Sequence, residues 1–435
     1  MNPGVEAGHI GRALLVLVLA STTGGCRTGS VHDLPPTIVR PETAQRVELW
    51  RADLAALESG LVRSHVAPFA KQPEVIFRAL VDDLHERIPY LDDDEIVIEL
   101  ARIGASIGDG HTGFYLHGGR LGLRPGPLWL MSFEDGIFVK GVAGDLGADI
   151  LNQELIRVGG VEIDEALDRL TPLIPRDNAQ GLELTAPGYL NLPRVLCAMG
   201  LSAEPEAATY VFRDAAGNEV EQRCEALAPA APAVFAVRYS ADATGAPLAE
   251  QLRSQPYALE RIEDSVLLQY NACRNGPGES FREFCKRVFT DLGRNPPRRL
   301  VIDLRWNSGG NSSITKALLV ELRRHPELTA PECLRVLIGP GTFSSGMWAA
   351  VDLAREFDAL LVGSATGGTP NAPGEVGTLV LPNSRLDCRY ARRLWHKGGR
   401  RYSGPSLPPR VFVRETSAQH FAGRDMVLEA ALAGP

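Results

Sequence analysis

The C-terminal half of the chain alternates between apolar runs of strand length and segments whose apolar residues recur at helical spacing. The apolar runs are SVLLQY, RRLVIDL, LRVLIG and ALLVG, and the helical patterns cover 279–292, 313–324 and 345–357. Strands that alternate with helices in this way predict a mostly parallel sheet with crossover helices. We therefore expect an α/β domain at 231–435.

The N-terminal half shows two other patterns. Three helical patterns, over 43–66, 73–88 and 92–107, predict a helical region at 43–118. Short strands and turns prevail after it, and the segment ELIRVGGVEIDEAL has a strand, a Gly-Gly turn, a short strand and a helix. This succession resembles the end of a PDZ module, a fold that holds peptides at a sheet edge. We expect a PDZ-like β-rich region at 119–230.

Residues 1–26 have the pattern of an export signal. Arg12 precedes a short apolar run, and small residues lead into Cys26. The ending TTGGC resembles a bacterial lipoprotein box, which implies a lipid anchor at Cys26, a tether at 27–42 and a membrane-attached protein of the cell envelope. It would face the periplasm or the exterior. Ordinary cleavage nearby, with Cys26 left free, is the alternative.

Composition and net charge indicate a globular protein that does not bind nucleic acids. The 435 residues are 44% hydrophobic, enough for a packed core, and the net charge of -8 argues against a nucleic-acid partner. The stretch 389–402, RYARRLWHKGGRRY, is a local basic exception. It is typical of a solvated loop or hairpin, with contact to a substrate carboxylate or an anionic lipid as the alternative.

The cysteines indicate neither a metal site nor a disulfide framework. The six besides Cys26 are widely scattered and none has a metal-binding spacing. We expect buried thiols, with a Cys273–Cys285 bridge as the alternative. The sequence indicates no cofactor and no metal.

Candidate chemistry lies where two predicted strands end in glycine- and serine-rich turns, VIDLRWNSGGNSS and LIGPGTFSSGM. Ser344 begins a predicted helix, whose partial positive charge would favour an alkoxide or oxyanion there, although a helix cap is the ordinary role of such a serine. Ser345 is the alternative nucleophile. Gly309, Gly310 and the amide of Ser345 are the candidate oxyanion donors, since glycine leaves backbone N–H groups accessible.

These two motifs resemble those of the tail-specific, carboxyl-terminal-processing serine peptidase family. That family combines a strand ending in D-x-R-x-N-G-G-G with a T-x-S-x-x-E segment that carries the nucleophile. The positions that match are Asp303, Arg305, Asn307, Gly309, Gly310, Thr342 and Ser344. The resemblance implies a crotonase-like α/β catalytic core at 231–435, with Ser344 as the nucleophile.

The resemblance departs from the best-known members at the general base. Thr369 stands where their catalytic lysine stands, and threonine is no substitute for it. A second branch resembles the tricorn core protease and uses a histidine from the N-terminal part, for which GDGHTGF offers His111. Glu375 is the nearest conspicuous carboxylate for orienting His111, with Lys397 and His396 as alternatives.

Two functions follow from these predictions. The first is a cell-envelope serine endopeptidase that acts on peptide or protein substrates, with Ser344, His111 and Glu375 as catalytic residues. The second is a protease-like binding protein that holds a peptide or an apolar ligand, as in the retinoid-binding relatives of this family. Other hydrolases lack their signatures here, since there is no G-x-S-x-G, H-E-x-x-H or G-x-x-x-x-G-K motif.

Overall fold

The structure is a computed structural model that describes residues 15–18, 44–116, 123–228, 234–243 and 245–433. Cys26, the tether and the rest of the predicted export signal lie outside the described residues. The exception within that signal is strand β1 (Leu15–Val18). It pairs antiparallel with Val234–Val237.

The first folded segment is helical, as its periodicity predicts. It comprises α1 (Ala44–Ser64), α2 (Glu74–Arg87) and α3 (Asp93–Ala105), with a 3₁₀ turn at Ile88–Tyr90. Helix α3 begins at a capping box, in which the Asp92 side chain accepts the Glu95 amide and Glu95 accepts the Asp92 amide. Among all the described residues, no helix is both long enough and apolar enough to cross a bilayer.

The second segment is a mixed region dominated by an antiparallel sheet. Its elements are β2 (Leu128–Phe133), β3 (Gly136–Ala143), β4 (Glu154–Val158), β5 (Val161–Glu162), α4 (Ile163–Leu170), α5 (Ala179–Tyr189), α6 (Pro193–Ala198), β6 (Ala207–Arg213), β7 (Glu219–Glu225) and β8 (Val234–Val237). Short 3₁₀ turns lie at Ala148–Ile150 and Thr171–Leu173. The strand order is β1-β8-β3-β4-β6-β7, with β2 beside β3 and β5 beside β4.

The helical segment and this sheet share one hydrophobic core. Leu54, Leu57 and Phe77 from the helices belong to the same buried cluster as Val139 and Tyr210 from the sheet. Burial of this apolar surface is the main force that holds them together. The expected boundary at 118–119 therefore separates two segments that pack as one unit.

The third segment is the predicted α/β unit. Its elements are α7 (Leu248–Gln251), β9 (Tyr257–Ile262), β10 (Ser265–Tyr270), α8 (Phe281–Arg294), β11 (Leu300–Asp303), α9 (Lys316–Arg324), β12 (Leu334–Ile338), α10 (Ser344–Glu356), β13 (Leu360–Gly363), β14 (Pro373–Val380), β15 (Asp387–Leu394), β16 (Val411–Phe412), α11 (Ser417–Phe421) and α12 (Met426–Leu432), with a 3₁₀ turn at Pro326–Thr329. The sheet order is β16-β13-β12-β11-β10-β9, parallel except for β9. The prediction of a mostly parallel sheet with crossover helices is confirmed.

The hairpin β14–β15 leaves this sheet and packs on the helical segment. At its turn, Asp53 of α1 accepts the amides of Asn383 and Ser384, each at 2.8 Å. Along β15, Arg389 exchanges backbone hydrogen bonds of 3.0 and 3.1 Å with Gly113. The hairpin therefore fixes the loop that follows α3 against the α/β unit. Strand β15 also contains the first part of the basic stretch, 389–394, and the remainder forms the turn that follows, so the stretch is a largely exposed strand and turn, as its composition predicts.

The described cysteines, Cys197, Cys224, Cys273, Cys285, Cys333 and Cys388, are all free thiols. All but Cys197 are buried, and burial raises the pKa of Cys224 to about 12. The prediction of buried thiols therefore holds for five of them, and the alternative of a Cys273–Cys285 bridge is wrong.

Candidate functional site

Ser344 lies where strand β12 gives way to helix α10, at the carboxyl edge of the parallel sheet. The turn between them is held by Thr342, whose hydroxyl accepts the Gly339 amide at 3.1 Å and donates to the Leu304 carbonyl at 2.8 Å. Ser344 is the first residue of α10 and has a φ of 48°. This left-handed conformation is strained for a residue with a side chain, and such strain is concentrated at functional sites.

His111 lies directly beside Ser344, although 233 positions separate them in the chain. The distance between His111 Nε2 and Ser344 Oγ is 3.0 Å, which is within hydrogen-bond range. The histidine comes from the loop after α3, and its side chain is largely buried. The structure thus brings together the candidate nucleophile and the candidate base.

The ring of His111 is held from one side by Phe343. The two rings stack with centroids 4.6 Å apart and an interplanar angle of 27°. Gly110 makes room for this contact, since a Cβ there would lie 2.8 Å from the Phe343 ring. The Nδ1 atom of His111 is buried and has no hydrogen-bond partner among the described residues.

The loop that carries His111 is fastened by two buried carboxylates. Asp109 accepts the His111 amide at 2.9 Å, and Asp177 accepts the Gly110 amide at 2.8 Å. His65 lies 2.9 Å from the other oxygen of Asp109. Burial would raise the pKa of Asp109, but the hydrogen bonds from the His65 side chain and from the His111 amide hold that pKa below its ordinary value.

The candidate oxyanion donors are placed differently from one another. The Gly309 amide donates to Asn307 Oδ1 at 3.0 Å, so this donor is already in use. Gly310 is exposed, and its bridge to Cys273 uses the Gly309 carbonyl and the Asn311 amide, so the Gly310 amide has no partner among the described residues. The Ser345 amide is likewise unpartnered within this part of the structure, as expected in the first turn of a helix.

The prediction that Gly309 is an oxyanion donor therefore needs a correction. Gly309 has a φ of 107°, and a Cβ there would lie 2.7 Å from Ser344 Cβ and 2.9 Å from the Ser345 nitrogen. Its requirement for glycine comes from close packing against the serine. The unpartnered donors beside Ser344 are the amides of Gly310 and Ser345.

Asp303 and Arg305 shape the end of β11. The Arg305 guanidinium bonds to Asp303 at 2.8 Å and to Asp425 of the C-terminal segment at 2.7 Å. Both carboxylates are buried, and so the arginine neutralises charges that would otherwise be costly to bury. This ion network fixes the strand end from which the Asn307–Gly310 turn departs.

The prediction that Glu375 orients His111 is wrong. The Glu375 side chain is exposed and lies beside two arginines of the hairpin, 3.5 Å from Arg392 and 4.0 Å from Arg393. The alternative Lys397 pairs with Asp352 of α10 at 2.8 Å. The alternative His396 is exposed and makes no described contact with His111.

Thr369 has a structural contact at the position where the family lysine was expected. Its hydroxyl donates to the Pro405 carbonyl at 2.7 Å, and its amide donates to Asp177 at 3.0 Å. Asp177 therefore joins the Thr369 loop to the His111 loop. Sequence reasoning missed both Asp177 and His65, because neither belongs to a motif or is near the other site residues in sequence.

A serine whose hydroxyl contacts an imidazole, next to unpartnered backbone amides, has the parts that serine hydrolases use. No family model matches the chain, and no curated protein matches it. Among solved structures, mature CPAF is similar, with 14% identity, a TM-score of 0.60, and coverage of 89% of this chain and 96% of that chain. CPAF complexed with lactacystin gives 14% identity, a TM-score of 0.61 and coverage of 89% and 97%.

A third similar structure is the photosystem II D1 C-terminal processing protease. It has 14% identity, a TM-score of 0.40, and coverage of 86% of this chain and 94% of that chain. Only the TM-scores of the two CPAF structures, among these three, are high enough to indicate a shared fold. The chain therefore has the mixed α/β fold of CPAF.

Proposed function

We propose that this protein is a serine endopeptidase in which Ser344 is the nucleophile and His111 the general base. The observation that carries the proposal is the 3.0 Å contact between Ser344 Oγ and His111 Nε2. The fold itself does not require contact between Ser344, a strained residue at a helix start, and His111, which lies in a loop distant in sequence. Their contact supports an activated hydroxyl.

The mechanism follows from the contacts around Ser344. The hydroxyl donates to Nε2, so attack of Oγ on a peptide carbonyl carbon moves its proton to the imidazole. The oxygen of the tetrahedral intermediate accepts hydrogen bonds from the amides of Gly310 and Ser345. The imidazolium then protonates the leaving amine, and a water molecule, deprotonated by His111, hydrolyses the acyl-enzyme and restores Ser344.

The proposed enzyme resembles the tail-specific proteases but lacks their catalytic lysine, because Thr369 occupies that position. The core at 231–435 is crotonase-like, and the PDZ-like region at 119–230 presents a sheet edge to a peptide or protein substrate. CPAF forms a complex with lactacystin, and its fold likeness supports lactacystin as a ligand for this site too.

The proposed setting is the bacterial cell envelope. The export signal at 1–26 would be removed, and lipidation of Cys26 would attach the enzyme to the membrane through the tether at 27–42. The support for this setting is the sequence pattern described above. Growth with a radiolabelled or clickable fatty acid would label the wild type but not Cys26→Ala if the anchor is correct.

The experiment that tests the proposed function is labelling of the purified protein with a fluorophosphonate serine probe. Ser344→Ala, His111→Ala and Ser345→Ala are labelled alongside the wild type. Ser345 is a matched control, because its hydroxyl is buried and donates to the Gly310 carbonyl at 2.8 Å. Labelling that is lost in the first two variants and kept in the third supports the Ser–His pair. A folded wild type that does not label at any pH contradicts it.

One observation favours a second candidate function. His111 Nδ1 has no hydrogen-bond partner among the described residues, so the imidazole lacks the bonded acid that orients the base in many serine hydrolases. The alternative is a protease-like binding protein that holds a peptide or an apolar ligand without cleaving it. Lactacystin or a peptide that binds without modifying Ser344, measured by calorimetry and intact mass, would support the binding function.

A further inference from the structure

The loop of His111 is held by more buried polar groups than a surface loop needs. Consecutive amides, those of Gly110 and His111, donate to two different carboxylates, Asp177 at 2.8 Å and Asp109 at 2.9 Å. The Tyr115 hydroxyl donates to the Gly110 carbonyl at 2.7 Å. Three hydrogen bonds therefore fix the backbone of the loop at Gly110 and His111.

Both carboxylates are almost fully buried. The exposed fraction of the side chain is 2% for Asp109 and 1% for Asp177. Buried carboxylates are costly unless every oxygen has a donor. Here each oxygen has one, since Asp109 also faces His65 and Asp177 also accepts the Thr369 amide at 3.0 Å.

His65 fixes the orientation of Asp109. Its Nδ1 accepts the Ala67 amide at 3.1 Å, so Nε2 carries the proton that is donated to Asp109 at 2.9 Å. The side chain of His65 is 1% exposed. Asp109 is therefore held as an ionised acceptor with a fixed rotamer, two positions before the candidate base in the chain.

We propose that Asp109 and Asp177 are positioning residues for His111: two buried carboxylates that hold its loop and place negative charge near its imidazole. This inference rests on the proposed function. The carboxylates would serve in place of the bonded acid that His111 Nδ1 lacks, by fixing the approach of Nε2 to Ser344 and by stabilising the imidazolium formed on attack.

Other charged and titratable groups lie around this loop and enter the pH dependence. The groups from each neighbouring element are His65 after α1, Lys71 before α2, Tyr115 after the loop and Arg389 of β15. Lys71 Nζ lies 3.9 Å from Asp177 and is 37% exposed, so solvent screens its charge. Asp109 and Asp177 are the two buried carboxylates that accept hydrogen bonds from the backbone of this loop.

The test measures the rate of fluorophosphonate labelling against pH for Asp177→Asn and for the matched control Asp53→Asn. Asp53 is also buried and also accepts two backbone amides, but it does so at the turn of the β14–β15 hairpin. We expect both variants to melt a few degrees lower. We expect Asp177→Asn alone to label roughly tenfold slower or more, which is the lower end of the loss found when the hydrogen-bond partners of metal-binding histidines are removed.

A second pair of variants separates charge from hydrogen bonding at Asp109. In Asp109→Asn the side-chain NH2 group of the new asparagine faces the Nε2 proton of His65, so two donors oppose each other. In the double variant with His65→Gln, the glutamine carbonyl oxygen accepts a hydrogen bond from that NH2 group. The double variant restores a hydrogen bond without restoring charge. We expect it to recover thermal stability but to label as slowly as the single variant.

The pH profile gives the readout that a purely structural role would not change. A nearby negative charge favours the protonated form of the imidazole, and labelling requires the neutral form. Removal of a carboxylate charge should therefore move the acid limb of the labelling profile to lower pH, while the plateau rate falls. If the single variants keep the wild-type rate, or if the double variant regains it with an unmoved acid limb, the inference is wrong. A wild type that never labels removes the proposed function, and the inference with it.

Discussion

The close packing of Gly309 against the nucleophile makes the strongest prediction. In Gly309→Ala the new Cβ would lie 2.7 Å from Ser344 Cβ, 2.9 Å from the Ser345 nitrogen and 3.1 Å from Ser344 Oγ. Ordinary van der Waals contact begins near 3.4 Å. The substitution therefore displaces the nucleophile and a proposed oxyanion donor together, while it leaves both side chains chemically intact.

The magnitude has two parts. Alanine at a φ of 107° carries a backbone strain of about 1–3 kcal/mol, which corresponds to a fall in Tm of roughly 1–3 °C for a chain of this size. Relief of the contact requires Ser344 to move by about 0.7 Å, from 2.7 to 3.4 Å. Because a misplacement of about 1 Å can cost 10²-fold in rate, we expect labelling to slow roughly 10- to 100-fold.

The assay is the second-order rate of fluorophosphonate labelling, measured beside thermal unfolding followed by near-UV circular dichroism. Gly217→Ala is the matched control, because Gly217 also has a positive φ, 87°, but a Cβ there would meet nothing within 4 Å. It should lose a similar amount of thermal stability through backbone strain and label at the wild-type rate. The difference between the two variants isolates the contact with Ser344.

One result would refute this reasoning. If Gly309→Ala labels as fast as Gly217→Ala while both melt at similar temperatures, the position of Ser344 does not depend on the glycine. The left-handed serine and its close neighbours would then be features of the turn alone.

Three further predictions concern residues outside the nucleophile turn. Glu375→Gln should label within about twofold of the wild type and melt within about 1 °C of it, because exposed ion pairs contribute little; a large loss would restore Glu375 to the site. Burial would raise the pKa of Glu250, but the hydrogen bond with His420 and the charge of Lys140 hold it well below 4.5, so Glu250 stabilises the fold above pH 4.5. That stability is lost as the pH falls further, and Tm measured against pH should show a shallower acid decline in Glu250→Gln; an unchanged slope would contradict it. Among the described cysteines, Cys197 should react fastest with Ellman's reagent in the native protein, because the other five are buried; several equally fast thiols would contradict that burial.

Sequence periodicity was sufficient for the architecture of the α/β unit. Strands such as Leu300–Asp303 and Leu334–Ile338 are continuous apolar runs because both faces of a parallel sheet are covered. The crossover helices have an apolar face at helical spacing, and the three N-terminal helices were predicted in the same way. These features are local, and so the sequence specifies them directly.

The domain boundaries were harder to predict from sequence. The helical segment and the antiparallel sheet have different local patterns, yet their apolar faces close on one core. A change of periodicity marks a change of element type, whereas the extent of a core depends on which faces meet in space. The hairpin β14–β15, which packs on α1, shows the same point.

The sequence by itself determined the elements, the two glycine- and serine-rich turns, and the choice of Ser344 and His111 as candidates. Only the tertiary structure decided that these side chains lie 3.0 Å apart, that Glu375 faces solvent, and that the Gly309 amide is already bonded. It also placed Asp177, from elsewhere in the chain, against the loop that already contains Asp109 and His111. The physical reason is that periodicity records which face of an element is buried, while a catalytic contact depends on distances between elements far apart in sequence.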